Sequence, residues 1–347
     1  MVPDSNGEEG FNKVSKPLSN MLGQSTLRLQ IREFQPSEYE QLAQLYGRIY
    51  PDYDRSANEW RFWDESLDRS KYYRQRYSCY DSEGGQPLGF GEIGHATWMF
   101  HPKKFWLELW VDPSHQGKGI GTMIYQKLND EMERIGAVAT WAGVKEDMPA
   151  PLAFLAKRGF QERMRAWESR LNPADVDLSN FSSYSEKAMK EGIVIASLAD
   201  ERRMDPECLK KLYDLVQTVA ADMPMPEQFT PTSYEQWMAS EINAPGLAPE
   251  GYMIAKDGSK YVGMSTVWRA EKESKGLYQG LTGVRREYRG RGIAVALKLR
   301  VIDFARRNGY ELIKTWNASI NTPMLGINQK LGFKRQVGWI TFEKHLA

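Results

Sequence analysis

The chain has 347 residues, 41% of them hydrophobic and 12% aromatic, with 46 basic against 45 acidic side chains and a formal net charge of +1. That length predicts two domains of ordinary size, and the near-neutral balance argues against bulk binding to nucleic acid or a membrane surface. The two cysteines, Cys79 and Cys208, fall in different halves, which argues against a disulfide framework and for a reducing compartment.

Residues 1–24 are polar and carry no apolar core for a secretory signal. Apolar runs elsewhere are too short to span a bilayer, so the expectation is a tail on a cytoplasmic protein. Leu27 to Phe34 alternates apolar and polar residues for most of its length, the period of a half-buried strand. Pro36-Ser37-Glu38 opens a helix through Leu42, Leu45 and Tyr46. Pro51 to Ser70 is rich in rings (Tyr53, Trp60, Phe62, Trp63), as helix-to-sheet packing would require. Tyr73 to Tyr80 and Leu88 to Met99 read as strands about a turn at Ser82-Glu83-Gly84-Gly85. A strand at Phe105 to Val111 then feeds Gln116-Gly117-Lys118-Gly119-Ile120-Gly121 and a helix over Thr122 to Ile135. A strand at Ala137 to Val144, a short helix at Pro151 to Lys157 and a strand at Ala166 to Leu171 complete a first domain, 25–172.

Residues 173–191 lack a sustained apolar stripe and read as a linker with room for a short helix. The second domain, 192–347, restarts at Ile193-Val194-Ile195, with a helix from Pro206 to Val219 that breaks at Ala221-Asp222-Met223-Pro224. Strands at Tyr252 to Lys256 and Tyr261 to Arg269 flank a hairpin turn at Asp257-Gly258. Gly280 to Val284 ends another strand, followed by Arg289-Gly290-Arg291-Gly292-Ile293-Ala294 and a helix from Val295 to Asn308. Glu311 to Trp316, Met324 to Lys330 and Trp339 to Glu343 supply a strand, a short helix and a closing strand.

A strand, a glycine turn and a helix opening on the glycines form an anion cradle. The first-turn amides have no partners within the helix and the dipole is positive there, while glycine lets phosphate approach the backbone. Two such turns stand in fixed register. Gly119 and Gly292 are 173 residues apart, as are Val111 and Val284, and Gly159 and Gly332. A constant spacing over three landmarks indicates an internal duplication.

Both turns match the (Gln/Arg)-x-x-Gly-x-(Gly/Ala) signature, and Arg158-Gly159-Phe160 and Leu331-Gly332-Phe333 follow at the family distance, so the chain resembles the GNAT superfamily of N-acetyltransferases in its tandem form, a layout shared with mycothiol synthase-like enzymes. The resemblance implies an α/β (mixed α+β) fold of two GNAT-like domains, each a mixed, largely antiparallel sheet flanked by helices. It also implies acetyl-CoA as acyl donor and direct attack by an amine of a small molecule or peptide, in a monomer or homodimer. The segment Pro51 to Ser70 would then border the acceptor slot.

The resemblance assigns pyrophosphate to Gln116, Gly117, Lys118, Gly119, Ile120 and Gly121 in one copy. In the other it assigns Arg289, Gly290, Arg291, Gly292, Ile293 and Ala294. The strand end Thr282-Gly283-Val284, and Val111 in the first copy, would turn backbone amides to the acetyl carbonyl. Asn317, Asn321 and Asn328 would bond the pantetheine arm. Asn328 stands where many relatives carry a proton-donating Tyr, which leaves the general acid open. The first copy has Val144, Met148 and Leu155 at these places, so the expectation is that the second domain carries the chemistry and the first binds CoA or serves as scaffold. Asp222 is the candidate general base, with Glu227, Glu235 and Glu241 as alternatives. No His/Cys/carboxylate spacing suggests a metal. The alternative function is a non-catalytic CoA- or nucleotide-binding protein. A Rossmann dehydrogenase is disfavoured, because hairpins precede each cradle and the Gly-x-Gly-x-x-Gly parallel unit is missing.

Overall fold

The computed structural model describes residues 28–53, 55–81, 85–270 and 273–346; the predicted tail and the turn residues Ser82 to Gly84 lie outside the described residues. The first half runs β1 (Leu29–Glu33), α1 (Tyr39–Ile49), α2 (Ala57–Glu65), β2 (Arg74–Asp81), β3 (Gly89–Gly94), β4 (Lys104–Val111), α3 (Ile120–Arg134), β5 (Ala139–Lys145), α4 (Pro149–Ala156) and β6 (Gln161–Leu171). A helix within the linker, α5 (Ser182–Lys190), leads to β7 (Ile193–Ser197), α6 (Leu198–Met204), α7 (Cys208–Ala220) and α8 (Tyr234–Trp237). The chain ends with β8 (Met253–Asp257), β9 (Lys260–Arg269), β10 (Gly276–Val284), α9 (Ile293–Arg307), β11 (Leu312–Ala318), α10 (Thr322–Lys330) and β12 (Lys334–His345).

All twelve strands of the described residues join in one mixed, mostly antiparallel sheet, in the order β1-β2-β3-β4-β5-β12-β6-β11-β10-β9-β8-β7. The closing strands are exchanged. β12 lies between β5 and β6, while β6 lies between β12 and β11. The pairings Ala166↔Ala318 and Trp339↔Lys145 are related by the same 173-residue shift, and Ala166 pairs with its own counterpart Trp339. A pseudo-twofold axis therefore passes through the β6–β12 ladder. Residues 25–172 and 192–347 are sequential halves that each lend a strand to the other, so neither completes its part of the sheet alone.

Strand alternation sorts the two faces. Phe105 and Leu107 of β4 pack under α3 with Ile120, Ile124 and Leu128. Trp110, on the opposite face, packs with Leu42, Tyr46 and Trp60 of α1 and α2. The second half repeats this, with Leu277 and Ile313 beneath α9 and Met264 beneath α7. Segments between helices then staple the halves across the α1/α7 face. Tyr53 reaches Glu168 of β6 and accepts a hydrogen bond from Trp339 Nε1 (3.2 Å), and Gln236 of α8 bonds the backbone of Ser66 and Asp68 (3.0 and 2.9 Å).

The exchange has a measurable consequence. A fragment of residues 28–172 leaves β5 unpaired on one edge and β6 without either neighbour. It is expected to show no cooperative thermal transition, whereas adding residues 173–346 in trans restores one, read by circular dichroism. Independent cooperative melting of the fragment would mean that β6 folds back onto β5.

Candidate active site

Each glycine turn begins with the same backbone. Gly117 and Gly119 have φ of 75° and 85°, and Gly290 and Gly292 have 76° and 83°. These are left-handed values that glycine adopts without strain. Gly119 and Gly292 are the N-caps of α3 and α9, so the first-turn amides of both helices open on the turn.

The strands before the cradles splay from their parallel neighbours. β4 pairs with β5 only from Lys104↔Ala139 to Leu107↔Ala142, and β10 with β11 only from Gly276↔Leu312 to Tyr278↔Lys314. Both stay bonded on the other side as far as Val111 and Val284. The amide of Asp112 donates to Leu88 O (2.9 Å) and that of Arg285 to Val262 O (2.8 Å). Amides alternate sides along an antiparallel strand, so those of Val111 and Val284 turn into the gaps.

From here the copies diverge. A cavity of 1090 Å³ opens on the first cradle, lined there by Val111, Gln116, Gly117, Gly119, Gly121 and Thr122. A Cβ built on Gly117 or Gly119 would meet nothing within 4 Å. Lys157 and Arg158 stand at the rim, with Arg158 donating to Thr122 Oγ1 (3.0 Å). The cleft continues past Leu107, Leu109, Val144 and Leu155. Free helix amides, positive side chains and a long apolar slot fit a pyrophosphate with an extended acyl-thioester arm. Of the residues predicted for this cradle, Ile120 is buried in the core beneath α3, and Lys118 is exposed outside the cavity lining.

The second cradle is covered. Tyr184 of α5 lies so close to Gly292 that a Cβ there would stand 2.7 Å from its ring, and the Tyr184 hydroxyl is bonded by Lys330. Arg289 donates to Val284 O (3.0 Å) and to Asp222, and Arg286 also grips Asp222 (3.0 Å). Arg291 donates to Glu287 O (3.1 Å). Gly283 is packed against Val219, Ile293 is core, Ala294 packs against it, and Gly290 alone faces open space. Thr282 shares a hydrogen bond with Ser265 (2.8 Å) in a buried chain that continues through Gln279 to Lys298. None of these residues lines the cavity.

The predicted amides partly converge. Asn328, 2% exposed, donates to Asn317 Oδ1 (2.7 Å), while Asn321 caps α10 by accepting from the Met324 amide (3.3 Å). Asp222 is corrected as a base. Hydrogen bonds from Arg286, then from Arg289, outweigh its partial burial and hold its carboxyl down at about 2, where it accepts protons poorly at neutral pH. Glu227 is tied to Lys104, and Glu235 is exposed on α8.

Three carboxylates line the open cavity, Glu59, Glu108 and the earlier candidate Glu241; Glu108, which sequence reading passed over, is the one carried by the splayed strand. It lies on β4 beside Trp106 and Trp110, on the α1/α2 face, three residues before Val111. Directly opposite it on β3 stands Glu92. Arg76 and Arg74 take Glu92 and, despite its burial, hold it below the usual carboxylate range. Glu108 is pushed above that range by burial, and the charge on Glu92 adds to the shift, with Arg55 opposing it. Two facing carboxyls with separated affinities are the pattern of an ionised partner beside a poised base. The second copy has Ser265 and Leu281 at these places. The rings of Pro51 to Ser70 divide between both sequence readings. Trp60 is buried packing, whereas Tyr53, Phe62 and Trp63 line the cavity.

Among the described residues no helix is long and apolar enough to cross a membrane. Compared with known proteins, the chain matches the Acetyltransferase (GNAT) family twice, over residues 39–160 and 212–333. An uncharacterised N-acetyltransferase of Methanocaldococcus jannaschii is 24% identical over 152 residues, which span 40% of this chain and 63% of that relative. A GCN5-related N-acetyltransferase from Sphaerobacter thermophilus superposes with a TM-score of 0.67 at 18% identity, covering 92% of this chain and 96% of its own. A tandem GNAT protein from the clavulanic acid biosynthesis pathway gives 0.69 at 17% identity, covering 92% and 98%. At these identities the structural likeness is one of fold.

Proposed function

Because the chain belongs to the acetyltransferase (GNAT) family, matched in both copies, we propose that it is an acetyl-CoA-dependent N-acetyltransferase whose chemistry runs in the first repeat. This reverses the expectation that the second domain is catalytic. The observation that carries it is the open cavity joining the first cradle, the splayed end of β4 and the raised carboxyl of Glu108, against a second cradle filled by Tyr184.

Acetyl-CoA supplies the acyl group as a thioester. The α3 amides and Arg158 hold its phosphates, and Leu107, Leu109 and Leu155 exclude water along the arm. Glu108 takes a proton from the bound ammonium, and the freed nitrogen attacks the thioester carbon. The Val111 amide stabilises the negative charge that develops on the acyl oxygen. The C–S bond breaks, and with Leu155 in place of an acidic side chain, the proton for sulfur comes from the attacking nitrogen. No cysteine lines the cavity. Cys79 is buried and its thiol is pushed up to about 11 by desolvation, which supports direct attack over an acyl-enzyme. Two buried free thiols also suit a cytoplasmic protein.

Thiol release from acetyl-CoA, followed over a panel of small amines and peptides, tests this. Release that depends on an amine is expected. Binding of acetyl-CoA without release for any amine would favour the non-catalytic binding protein, and no binding at all would remove both readings.

A further inference from the structure

Strand register places Glu108 and an indole of the other repeat on one face of the sheet. β4 pairs with β5 through Leu107↔Ala142, and β5 with β12 through Gly143↔Thr341 and Lys145↔Trp339, so Glu108 and Trp339 share the α1/α2 side. Trp339 packs there against the aromatic cluster of α1 and α2, its ring centroid 5.4 Å from that of Tyr50. The Tyr50 hydroxyl in turn feels Glu108: burial first, and then that charge, raise its proton affinity. Tyr50 therefore stands between Glu108 and Trp339. Beyond Trp339 the row continues with Tyr53, 5.5 Å away, and Trp316 of β11, 6.3 Å from Tyr53. All four rings line the cavity with Glu108.

The fold does not by itself require these indoles. At the places of Trp316 and Trp339 the first copy carries Gly143 and Ala166, and the equivalent ladders close without a ring at either. The polar edges of the row are already used. Trp339 Nε1 donates to the Tyr53 hydroxyl (3.2 Å), which donates to Glu168, itself held by Arg170 (2.5 Å). What half-buried Trp339 and Tyr53 leave to the cavity is apolar ring surface, a poor match for a polyol and a good one for another ring. The cations over Tyr53 are supplied by the protein, Lys145 and Lys314 at 5.7 and 5.9 Å from its centroid, which disfavours a ligand body with a second positive charge.

We propose that the acceptor is an arylalkylamine, its amino group delivered to Glu108 and its ring laid against Trp339 of the exchanged strand. β4 and β12 stand two strands apart, about 10 Å at ordinary strand spacing, a span that a carboxyl side chain and a two-carbon tether cover. The inference rests on the first repeat being the acetyl-transfer site, and it makes Trp339 a specificity residue that the second repeat contributes to the first.

The test is calorimetric titration of the CoA-loaded protein with 2-phenylethylamine and with 2-cyclohexylethylamine, which share tether and carbon skeleton, for wild type, Trp339→Phe and Trp339→Leu. Wild type is expected to bind the aryl amine about two- to tenfold tighter, the range that ring-on-ring contact adds beyond burial. Trp339→Phe keeps that preference, and Trp339→Leu brings the ratio to about one while acetyl-CoA affinity stays within about twofold. Equal affinities in wild type, tighter binding of the cyclohexyl amine, no binding of either, or a preference that Trp339→Leu leaves intact would overturn the assignment. Should the leucine variant fail to fold, the two amines on wild type still decide. Acetylation is measured in parallel. An aryl preference that depends on Trp339 without acetyl transfer would refute the transferase reading and leave the chamber assignment standing, whereas transfer to both amines at equal affinity would do the reverse.

Discussion

Glu108→Gln is expected to lower kcat/KM by roughly 10²–10⁴-fold, the usual contribution of a positioned base, while acetyl-CoA affinity stays within about twofold. The separation follows from the alternation of β4. Glu108 faces α1 and α2, whereas Leu107, Leu109 and the cradle serve the acyl donor on the other side. The pH dependence carries the sign. A base works ionised, so wild-type activity rises with pH through the raised affinity of Glu108, and that acidic limb disappears in Glu108→Gln. Glu92→Gln removes the facing negative charge and leaves Arg74 and Arg76 to act on Glu108. The limb should then move to lower pH, at some cost in stability because Arg76 is buried. A Glu108→Gln enzyme with an unchanged rate and profile would mean that the amine arrives already neutral and no side chain takes its proton.

The duplication and both glycine turns were legible because each depends on local chemistry: glycine at positive φ, a strand before it, a helix after it. The strand exchange was not. Alternation in Ala166 to Leu171 or Trp339 to Glu343 says that a strand has one buried face, but an edge carries no label for its partner, and a covalent duplication offers every strand two equivalent edges. The linker also hid its role. Ser182–Lys190 has the composition of a solvated segment, and its one consequential residue, Tyr184, acts by contact with a glycine more than a hundred positions away. The same blindness bears on where the proposed base was looked for. Three asparagines suggested a polar site in the second copy, yet they serve a cap at Asn321 and a buried pair at Asn317 and Asn328. Glu108, flanked by Leu107 and Leu109, is in the sequence one polar position in an ordinary strand. Its value depends on Glu92 across the ladder and on the two arginines that claim Glu92 first. Pairing across strands is what a linear pattern leaves out.

The two cradles can be set against each other with matched substitutions. Gly119→Glu and Gly292→Glu place the same side chain at φ of 85° and 83°, so both incur the same backbone cost, about 1–2 kcal/mol. At Gly119 the new carboxylate enters open space where the diphosphate is expected. Like charges about 4 Å apart at a protein surface repel by up to about 4 kcal/mol, so acetyl-CoA affinity should fall on the order of a hundredfold or more, and turnover with it. At Gly292 the carboxylate instead meets Tyr184. That variant is expected to melt at lower temperature, as α5 is pushed from its seat, while titration still finds one acetyl-CoA site of unchanged affinity. The shared strain makes the comparison internal: a loss of binding confined to Gly119→Glu is electrostatic and local, whereas a loss common to both would report destabilisation. Two sites in wild type, one removed by each variant, would mean that α5 yields to the ligand and both repeats bind. The covered cradle would then be a second binding site, and the division of labour between the repeats would have to rest on Glu108 alone.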